Sequence, residues 1–519
     1  MKILDLVTIV SAMLLAPFAA SAQSDEEIGL RNIDRAIAIA DATWSKNMKG
    51  SDTNLYMADV YDTVDGSVSG PSDVWPLTAA IEAHCSILEA IEAARKVVPG
   101  VYEEESGIYS HRLELLIDNL EYYRGTYRLQ SYASNREWSP YAVPRASKRG
   151  AANVTGILNV YDDQMWLSRE LIRAYRLTGK KEYLELATYL ADYVIDGWDC
   201  WRDADGNEYG GITWGPGYNS KHSCSNGPII QPLVWLAEIY AGTGEEMVYY
   251  YRDVNNNAKK EMRDRSELYL EFAKKVYDWQ KAKLGDGTGV YWDMMGAVKG
   301  EIEVYRGYRQ HVDCHGPGGT FYSYNTGTML GGGASLFKAT GDAGVKADVE
   351  KTSKVALSKF ARYVRKHGVY EFSTDKDALN GFNTWFNNVL MRAYVDAESV
   401  IENSSALNTF KAFQYNLDYA FDNHNRGDML PIHLLDGWGD ETKTKGFHQF
   451  TFVSQYALLG RRLFERSMSG IDSVAADKAD SDDKVYTVEG IYKGRYDDMK
   501  DSLPCGIYVV GNRKIFVDK

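Results

Sequence analysis

The chain has 519 residues and a formal net charge of −14 at pH 7, from 58 basic and 72 acidic side chains. This length exceeds one core of ordinary size, yet no linker divides the main body, so we expect one large helical domain with a small tail. The acidic balance argues against nucleic acid or an anionic polysaccharide as a partner. The 37 tyrosines and 12 tryptophans suit a surface that stacks on sugar rings, although most aromatic side chains serve in cores.

The first predicted element is a cleavable signal peptide over residues 1–22. It carries Lys2, an apolar run from Leu6 to Phe18 and a small-residue site at 20–22. The run is too short to span a bilayer, and no later segment reaches about 18 apolar residues, so we expect no transmembrane segment. These features predict an exported protein.

Apolar residues that recur every 3.6 positions predict twelve helices within one domain, residues 23–465. Three even-numbered helices end in a Thr-Gly signal, at Gly179, Gly244 and Gly341, where glycine suits the left-handed position that closes a helix. This recurrence indicates an internal repeat of inner and outer helices, and hence an all-α toroid of six helical hairpins. The predicted helices span roughly 27–48, 72–94, 107–126, 162–178, 180–198, 226–244, 265–284, 320–342, 344–365, 380–397, 405–423 and 443–465.

The unusual polar and aromatic residues fall near the start of the even-numbered helices. The odd helices are amphipathic, as outer helices must be, whereas the even helices are less charged and richer in glycine and alanine. Inner helices of a toroid run parallel, so their N-termini would ring one mouth and bring distant residues into one cleft. These residues are Trp75, Asp162, Asp163, Asn226, Tyr324, Asn325, Trp385, Phe447 and His448.

Two adjacent aspartates, Asp162 and Asp163, open the fourth predicted helix. Neighbouring carboxylates repel each other, whereas a retaining glycosidase needs an ionised nucleophile and a protonated acid roughly 5–5.5 Å apart. Successive residues do not face each other on a helix flank, so the pair can serve one substrate only at a helix end that faces a cleft. The structural alternative is two solvated acids stabilised by the helix dipole.

Several motifs together resemble glycoside hydrolase family 76, the bacterial endo-α-1,6-mannanases, over roughly residues 28–465. The resemblance implies an (α/α)6 barrel, in agreement with the helix count, and a retaining hydrolysis of α-1,6-mannan without a cofactor. One departure is Thr326, where the family has glutamine. The matching elements are Tyr161–Trp166, Gly210–Trp214 followed by Lys221 and Ser225–Pro228, Asp278-Trp279 with Tyr291–Asp293, and Tyr324–Gly327.

By this resemblance Asp162 would be the nucleophile and Asp163 the general acid/base. Trp214 follows a Gly-Gly bend, where a large ring suits a sugar platform. Asn226 and Asn325 are expected to bind the vicinal hydroxyls of mannose, with helix capping as the alternative. The remaining candidates for substrate binding are Tyr161, Lys221, Tyr324 and Trp385, whereas Trp166 and His448 are expected to pack beneath the site or in the core.

Three further motifs have metal-ligand residue types, but none predicts a metal. The run His311–His315 is too crowded for a standard zinc site, and the runs 203–207 and 253–257 match only the opening of a calcium loop. Five cysteines are too few for a disulfide scaffold, and their odd number leaves at least one unpaired. Cys200 and Cys224 form the nearest pair.

Beyond residue 465 the composition changes, which predicts a linker and a small β-rich tail over residues 466–519. Two segments of this tail, Pro504–Val509 and Arg513–Lys519, look like the C-terminal tails of exported Bacteroidetes proteins. Such tails act as secretion signals, which would favour the cell surface or medium over the periplasm. A β-hairpin packed on the barrel is the alternative.

Two other functions stay open at this point. A non-catalytic α-mannan-binding protein would use the same aromatic cleft. An unsaturated-uronyl hydrolase with the same barrel would need cationic groups for its anionic substrate, and the matched motifs hold no arginine cluster. We expect a monomer that binds α-mannan or its oligosaccharides.

Overall fold

The computed structural model describes residues 24–372, 381–401, 404–476, 484–487, 492–499, 502–504, 506–510 and 513–517. The predicted signal peptide lies outside these residues. Within the described part of the chain, no helix is both long enough and apolar enough to cross a membrane.

Twelve long helices follow one another in the described chain up to Ala476, and each overlaps one predicted helix. The predicted count is therefore confirmed. The helices are α1 (Asp25–Asn47), α2 (Val74–Val97), α3 (Glu103–Asp118), α4 (Tyr161–Thr178), α5 (Lys181–Asp196), α6 (Ile230–Tyr240), α7 (Arg265–Leu284), α8 (Ser323–Thr340), α9 (Ala343–Phe360), α10 (Asn383–Glu398), α11 (Ser404–His424), α12 (Gly446–Ala476) and, in the tail, the short α13 (Tyr496–Met499).

The even-numbered helices form a closed inner ring. Helix α2 contacts α4, and the contacts continue through α6, α8 and α10 to α12, which returns to α2. The odd-numbered helices pack outside: α3 on α2, α5 on α4, α7 on α6, α9 on α8, α11 on α10, and α1 on α12 and α2. This arrangement is the (α/α)6 barrel that the sequence predicted.

Glycine and burial explain why the even helices lie inside. In α8 every residue from Ser323 to Leu336 is buried. A Cβ atom on Gly327 would lie 2.8 Å from the Leu390 Cα of α10, so glycine allows the two helices to approach closely. Gly179 and Gly341 close α4 and α8 with φ of 71° and 68°, as predicted.

The predicted ends of several helices are wrong. Helix α6 is much shorter than predicted, because residues 227–229 form a 3₁₀ turn and a long β-hairpin follows Tyr240. Helix α9 ends at Phe360, and the residues that follow form a strand. Helix α12 extends to Ala476, beyond the predicted boundary at 465.

Short antiparallel strands lie in the connections between helices. In the described barrel, every strand except β7 and β8 lies in a connection that leads into an inner helix. These strands therefore surround the mouth where the inner helices begin. The strands are β1 (Met48–Lys49), β2 (Tyr56–Met57), β3 (Val60–Asp62), β4 (Tyr127–Gln130), β5 (Asn135–Trp138), β6 (Lys221–His222), β7 (Glu246–Arg252), β8 (Ala258–Asp264), β9 (Met294–Ala297), β10 (Val304–Tyr305), β11 (Tyr308–Arg309), β12 (Cys314–Gly318), β13 (Ala361–Val364), β14 (Val369–Phe372), β15 (Lys443–Lys445), β16 (Lys484–Thr487), β17 (Tyr492–Arg495), β18 (Gly506–Val510) and β19 (Arg513–Val517).

Two of these sheets have more than two strands, one near the start of α6 and one in the tail. Strands β12, β9 and β6 form an antiparallel sheet beside the loop that precedes α6. In the tail, β17, β16, β18 and β19 form an antiparallel sheet in that order, around Val485, Leu503 and Tyr508. These four strands agree with the predicted β-rich character of the tail.

Candidate active site

Asp162 and Asp163 lie in the first turn of α4, at the mouth where the inner helices begin. The Tyr161 amide donates to the Trp214 carbonyl at 2.8 Å, which ties the start of α4 to the loop after α5. Asp162 is half-buried and Asp163 is 6% exposed. Among the described residues, no basic side chain lowers the pKa of either carboxyl. The two acids therefore lie close together without a neutralising partner.

The two carboxyls differ in how strongly they hold a proton. Burial raises the pKa of Asp162 to about 6, against the opposing effect of donors on Cys224, Trp214 and the helix backbone. Burial raises the pKa of Asp163 well above its ordinary value, and the negative charges of Asp162 and Asp73 raise it further. Two close carboxyls cannot ionise independently, so the pair keeps a proton to higher pH than an exposed aspartate does.

An aromatic surface borders Asp162 on the Trp214 side. The half-buried Trp214 indole stacks on His222 with 5.0 Å between ring centroids and contacts Tyr218 at 4.7 Å. Burial lowers the pKa of His222 to about 4, so its ring is neutral at neutral pH and packs as an apolar group. The bend before Trp214 requires glycine, because a Cβ on Gly211 would lie 2.3 Å from the Trp279 ring.

A third carboxyl, Asp293, belongs to the same site. The Tyr324 hydroxyl donates to Asp293 Oδ1 at 3.1 Å. Burial raises the pKa of Asp293, while Tyr324 and the amide of the buried Asn325 lower it. Burial also raises the pKa of the Cys224 thiol, and the charges of Asp162 and Asp293 raise it further, so the thiol lies near both acids.

Sequence reasoning missed Asp293, Cys224 and Asp73 as members of the site. Asp293 was part of a matched motif, but nothing in its spacing separated a site carboxylate from a structural one. Cys224 lies two residues before the predicted Asn226, and only the fold brings its thiol towards Asp162.

The floor of the site is a cluster of aromatic side chains from five inner helices. Trp166, Tyr324, Trp385 and Phe447 are buried together, with Trp75 packed at the edge of the cluster. Their helices are α4, α8, α10, α12 and α2. The prediction that the starts of the inner helices converge on one place is therefore confirmed for these residues.

Six of the seven residues predicted to bind substrate are buried. Lys221 Nζ donates to Asp199 Oδ2 at 2.8 Å. The Asn226 amide accepts from the Ile212 N–H at 2.8 Å and donates to the His222 carbonyl at 2.7 Å, so it joins two loops rather than capping a helix. Lys221 and Asn226 therefore hold neighbouring segments of the protein together. The six buried residues are Tyr161, Lys221, Asn226, Tyr324, Asn325 and Trp385.

The motifs with metal-ligand residue types serve other purposes. His311 contacts Asp199 at 2.6 Å and Asp313 at 3.1 Å. Asp203 and Asp253 each accept backbone N–H groups within their own turn. Within the described ranges, no three His, Cys, Asp or Glu residues are grouped so that they could hold a metal ion. The described cysteines are free thiols: Cys85, Cys200, Cys224 and Cys314.

Comparisons with known proteins agree with this architecture. The model of glycosyl hydrolase family 76 matches residues 150–449. A family 76 glycoside hydrolase (mannosidase) of Bacteroides thetaiotaomicron has a TM-score of 0.59 and 20% identity, covering 84% of this chain and 100% of that chain. A second family 76 structure, from a bovine strain of the same species, has a TM-score of 0.59 and 18% identity, covering 83% of this chain and 77% of that chain.

A third structure is an inactive variant of an α-1,6-mannanase of Salegentibacter sp., in complex with α-1,6-mannotriose. In that variant two consecutive aspartates are replaced by asparagine. Its TM-score is 0.54 at 17% identity, covering 83% of this chain and 99% of that chain. No curated protein matches the chain significantly. The family model covers more than half of the sequence and includes both aspartates of α4, and so the chain belongs to glycosyl hydrolase family 76.

Proposed function

We propose that this protein is a retaining endo-α-1,6-mannanase, with Asp162 as the nucleophile and Asp163 as the general acid/base. The observation that carries the proposal is the pair of adjacent carboxyls at the barrel mouth, whose pKa values are both raised by burial, while their other neighbours act in opposite directions. Donors around Asp162 favour its ionised form, whereas like charges around Asp163 favour its protonated form. That difference matches the two roles that a retaining glycosidase requires.

The proposed reaction has two displacements. Asp163 protonates the glycosidic oxygen while the Asp162 carboxylate attacks the anomeric carbon, so the leaving mannan chain departs and a glycosyl ester forms. Asp163, now ionised, takes a proton from a water molecule that attacks the ester carbon. The new hemiacetal has the original anomeric configuration, and Asp162 is released as a carboxylate.

Three observations support a neutral mannan as substrate. The site groups around the pair are acidic or aromatic, with Asp73 and Asp293 nearby, which disfavours the anionic sugars of an uronyl hydrolase. Structural relatives of the same family are a mannosidase and an α-1,6-mannanase that was captured with α-1,6-mannotriose. The half-buried Trp214 offers a ring face on which a mannose unit can stack.

Hydrolysis of linear α-1,6-mannan is the direct test. We expect the polymer length to fall before free mannose accumulates, and NMR to show the α-anomer as the first product. Binding of mannan without products would make the protein a glycan-binding module instead. A β-anomeric first product would exclude the double displacement.

We predict that kcat/KM on α-1,6-mannan falls as the pH drops below about 6. A protonated Asp162 cannot attack the anomeric carbon, and its pKa is raised to about 6. On the alkaline side, activity falls when Asp163 loses its proton. Initial rates across pH 4 to 9 check the profile, and a flat profile through pH 6 would contradict the assignment of the nucleophile.

Asp73→Asn should move only the alkaline limb of that profile, to lower pH by roughly half a unit. The negative charge of Asp73 raises the pKa of Asp163, so its removal lets Asp163 lose its proton earlier. Glu104→Gln, which removes one charge in the first turn of outer helix α3, is the control and should leave both limbs in place. If the alkaline limb is unchanged in Asp73→Asn, the loss of the Asp163 proton is not the cause of that limb.

Trp214→Ala should raise KM for mannan oligosaccharides by about 10-fold, because the loss of one stacking ring removes roughly 1 kcal/mol or more of binding. Trp214→Phe retains a ring and should keep most of the affinity. Steady-state kinetics on α-1,6-mannotetraose measure both variants. Equal KM values in wild type and Trp214→Ala would show that the ring does not contact substrate.

We also propose a division of the chain into a signal peptide (1–22), a barrel (23–465) and a linker with a β-rich tail (466–519), and export to the cell surface or medium as a monomer. The tail would act in secretion. Mass spectrometry of the secreted protein tests this, with expected cleavage after residue 22 and removal of the tail. An intact tail would argue against a processed sorting signal.

A further inference from the structure

The floor beneath the acid pair contains a buried carboxylate that the proposed reaction does not use. Glu82 on α2 is 3% exposed. Its Oε2 accepts the Trp385 indole N–H at 3.1 Å, and its Oε1 accepts the Asn388 amide at 3.1 Å and the Arg392 guanidinium. A buried ion pair as a whole contributes little net stability, although removal of one partner leaves the other charge unpaired and destabilises the fold.

Arg392 extends this contact to a second indole. Its guanidinium lies 5.3 Å from the ring centroid of Trp166 and 5.7 Å from that of Trp385. The two indoles meet edge to face with their centroids 4.8 Å apart. Trp166 follows Asp163 by three positions on α4, so its ring lies one turn below the acid pair. Glu82 therefore holds one ring directly and the other through Arg392.

We propose that Glu82 is a positioning residue for the acid pair. It fixes the orientation of the Trp385 indole and, through Arg392, that of Trp166, on which the first turn of α4 rests. This role rests on the proposed mannanase function. Because a misplacement of about 1 Å in reacting groups costs about 10²-fold in rate, a small rotation of these rings is enough to reduce turnover.

The same helix offers a matched control. Glu89 lies seven residues after Glu82, on the same face of α2, and pairs with Arg173 and Arg461. Within the described residues, no indole N–H donates to it. Glu82→Gln and Glu89→Gln each remove one arginine-paired carboxylate, from a buried and a half-buried position respectively, but only the first disturbs the indoles of the floor.

The experiment compares both variants of the full-length protein. We expect both to lower the unfolding temperature, while only Glu82→Gln lowers kcat on linear α-1,6-mannan, by about 10- to 100-fold with KM changed less than about threefold. Trp385→Phe removes the N–H donor together with part of the ring volume and should lower kcat by about 10-fold. In the Trp385→Phe background, Glu82→Gln should lower kcat by less than it does in the wild type, because both changes break the contact between Glu82 and Trp385.

Four outcomes would overturn the inference. Equal kcat values for Glu82→Gln and Glu89→Gln, or independent losses in the double variant, would reject the positioning role while leaving the mannanase function intact. If Glu82→Gln does not fold, an undiminished kcat in Trp385→Phe rejects it in the same way. A wild-type protein without activity on α-1,6-mannan would reject the proposed function, and the positioning role with it.

Discussion

Asp162→Asn and Asp163→Asn should each reduce turnover on α-1,6-mannan by at least about 10³-fold. The first variant has no nucleophile to form the glycosyl ester, and the second cannot protonate the leaving oxygen. For Asp163→Asn, an activated substrate with a good leaving group should restore part of the first step, because that step no longer needs an acid. Steady-state and single-turnover rates distinguish the two losses.

The same variants should be at least as stable as the wild type at neutral pH. The pKa of Asp162 is raised from 3.8 to about 6 in the folded protein. Its ionisation therefore opposes folding above the unfolded pKa, by on the order of 2–3 kcal/mol once the pH exceeds about 6. Asparagine removes this cost, so Asp162→Asn should unfold at a higher temperature at pH 7, and the advantage should vanish near pH 4.

Asp25→Asn in the first turn of outer helix α1 is the control for both measurements. This variant removes a similar charge at a helix start, but from an outer helix and not from the ring of inner helices that forms the cleft. It should leave activity unchanged. A fully active Asp162→Asn enzyme would end the assignment of the nucleophile. A large loss of stability would mean that the acid pair is a structural element.

Asp293→Asn should lower kcat/KM by about 10²-fold, through both kcat and KM. Its carboxyl is held by the Tyr324 hydroxyl at 3.1 Å, near the thiol that also faces Asp162. A carboxyl group beside the acid pair can bind a sugar hydroxyl more strongly as the sugar ring distorts. Kinetics on α-1,6-mannotetraose and on linear mannan measure the loss.

Tyr324→Phe offers a graded comparison, because it frees Asp293 without removing its charge, and it should cost about 10-fold. Asp286→Asn is the matched control: this carboxyl also follows α7, but it accepts the backbone N–H of Thr288 within its own turn. If Asp293→Asn and Asp286→Asn behave alike, Asp293 is a structural carboxyl.

Periodicity was enough to predict the twelve helices and their alternation. In α8 every residue from Ser323 to Leu336 is buried, and the glycine-rich run of this helix packs against α10, as the local composition indicates. The strands at the mouth could not be predicted in the same way. Strands β6 and β9 are far apart in sequence and pair only after the barrel has formed, so no local pattern identifies them.

The candidate site shows the same limit more sharply. The acid pair is recognisable because two adjacent carboxyls at a helix start are unusual. Lys221 and Asn226 stand in motifs that resemble the family just as well, yet their partners are Asp199 and the carbonyl of His222. Sequence alone cannot separate a side chain that faces substrate from one that holds the loop behind it, because the difference depends on contacts with distant residues.

The closed ring of inner helices has a consequence for how the chain folds. Helix α12 completes the ring by packing on α2, and α1 packs on α12. The apolar faces of α1 and α2 are therefore covered only after α12, the last helix of the barrel, has packed. Contacts across such a large sequence separation form slowly, since the intervening chain must first lose its conformational freedom. A chain that stops before α12 would keep an open seam between α10 and α2 and would aggregate through it.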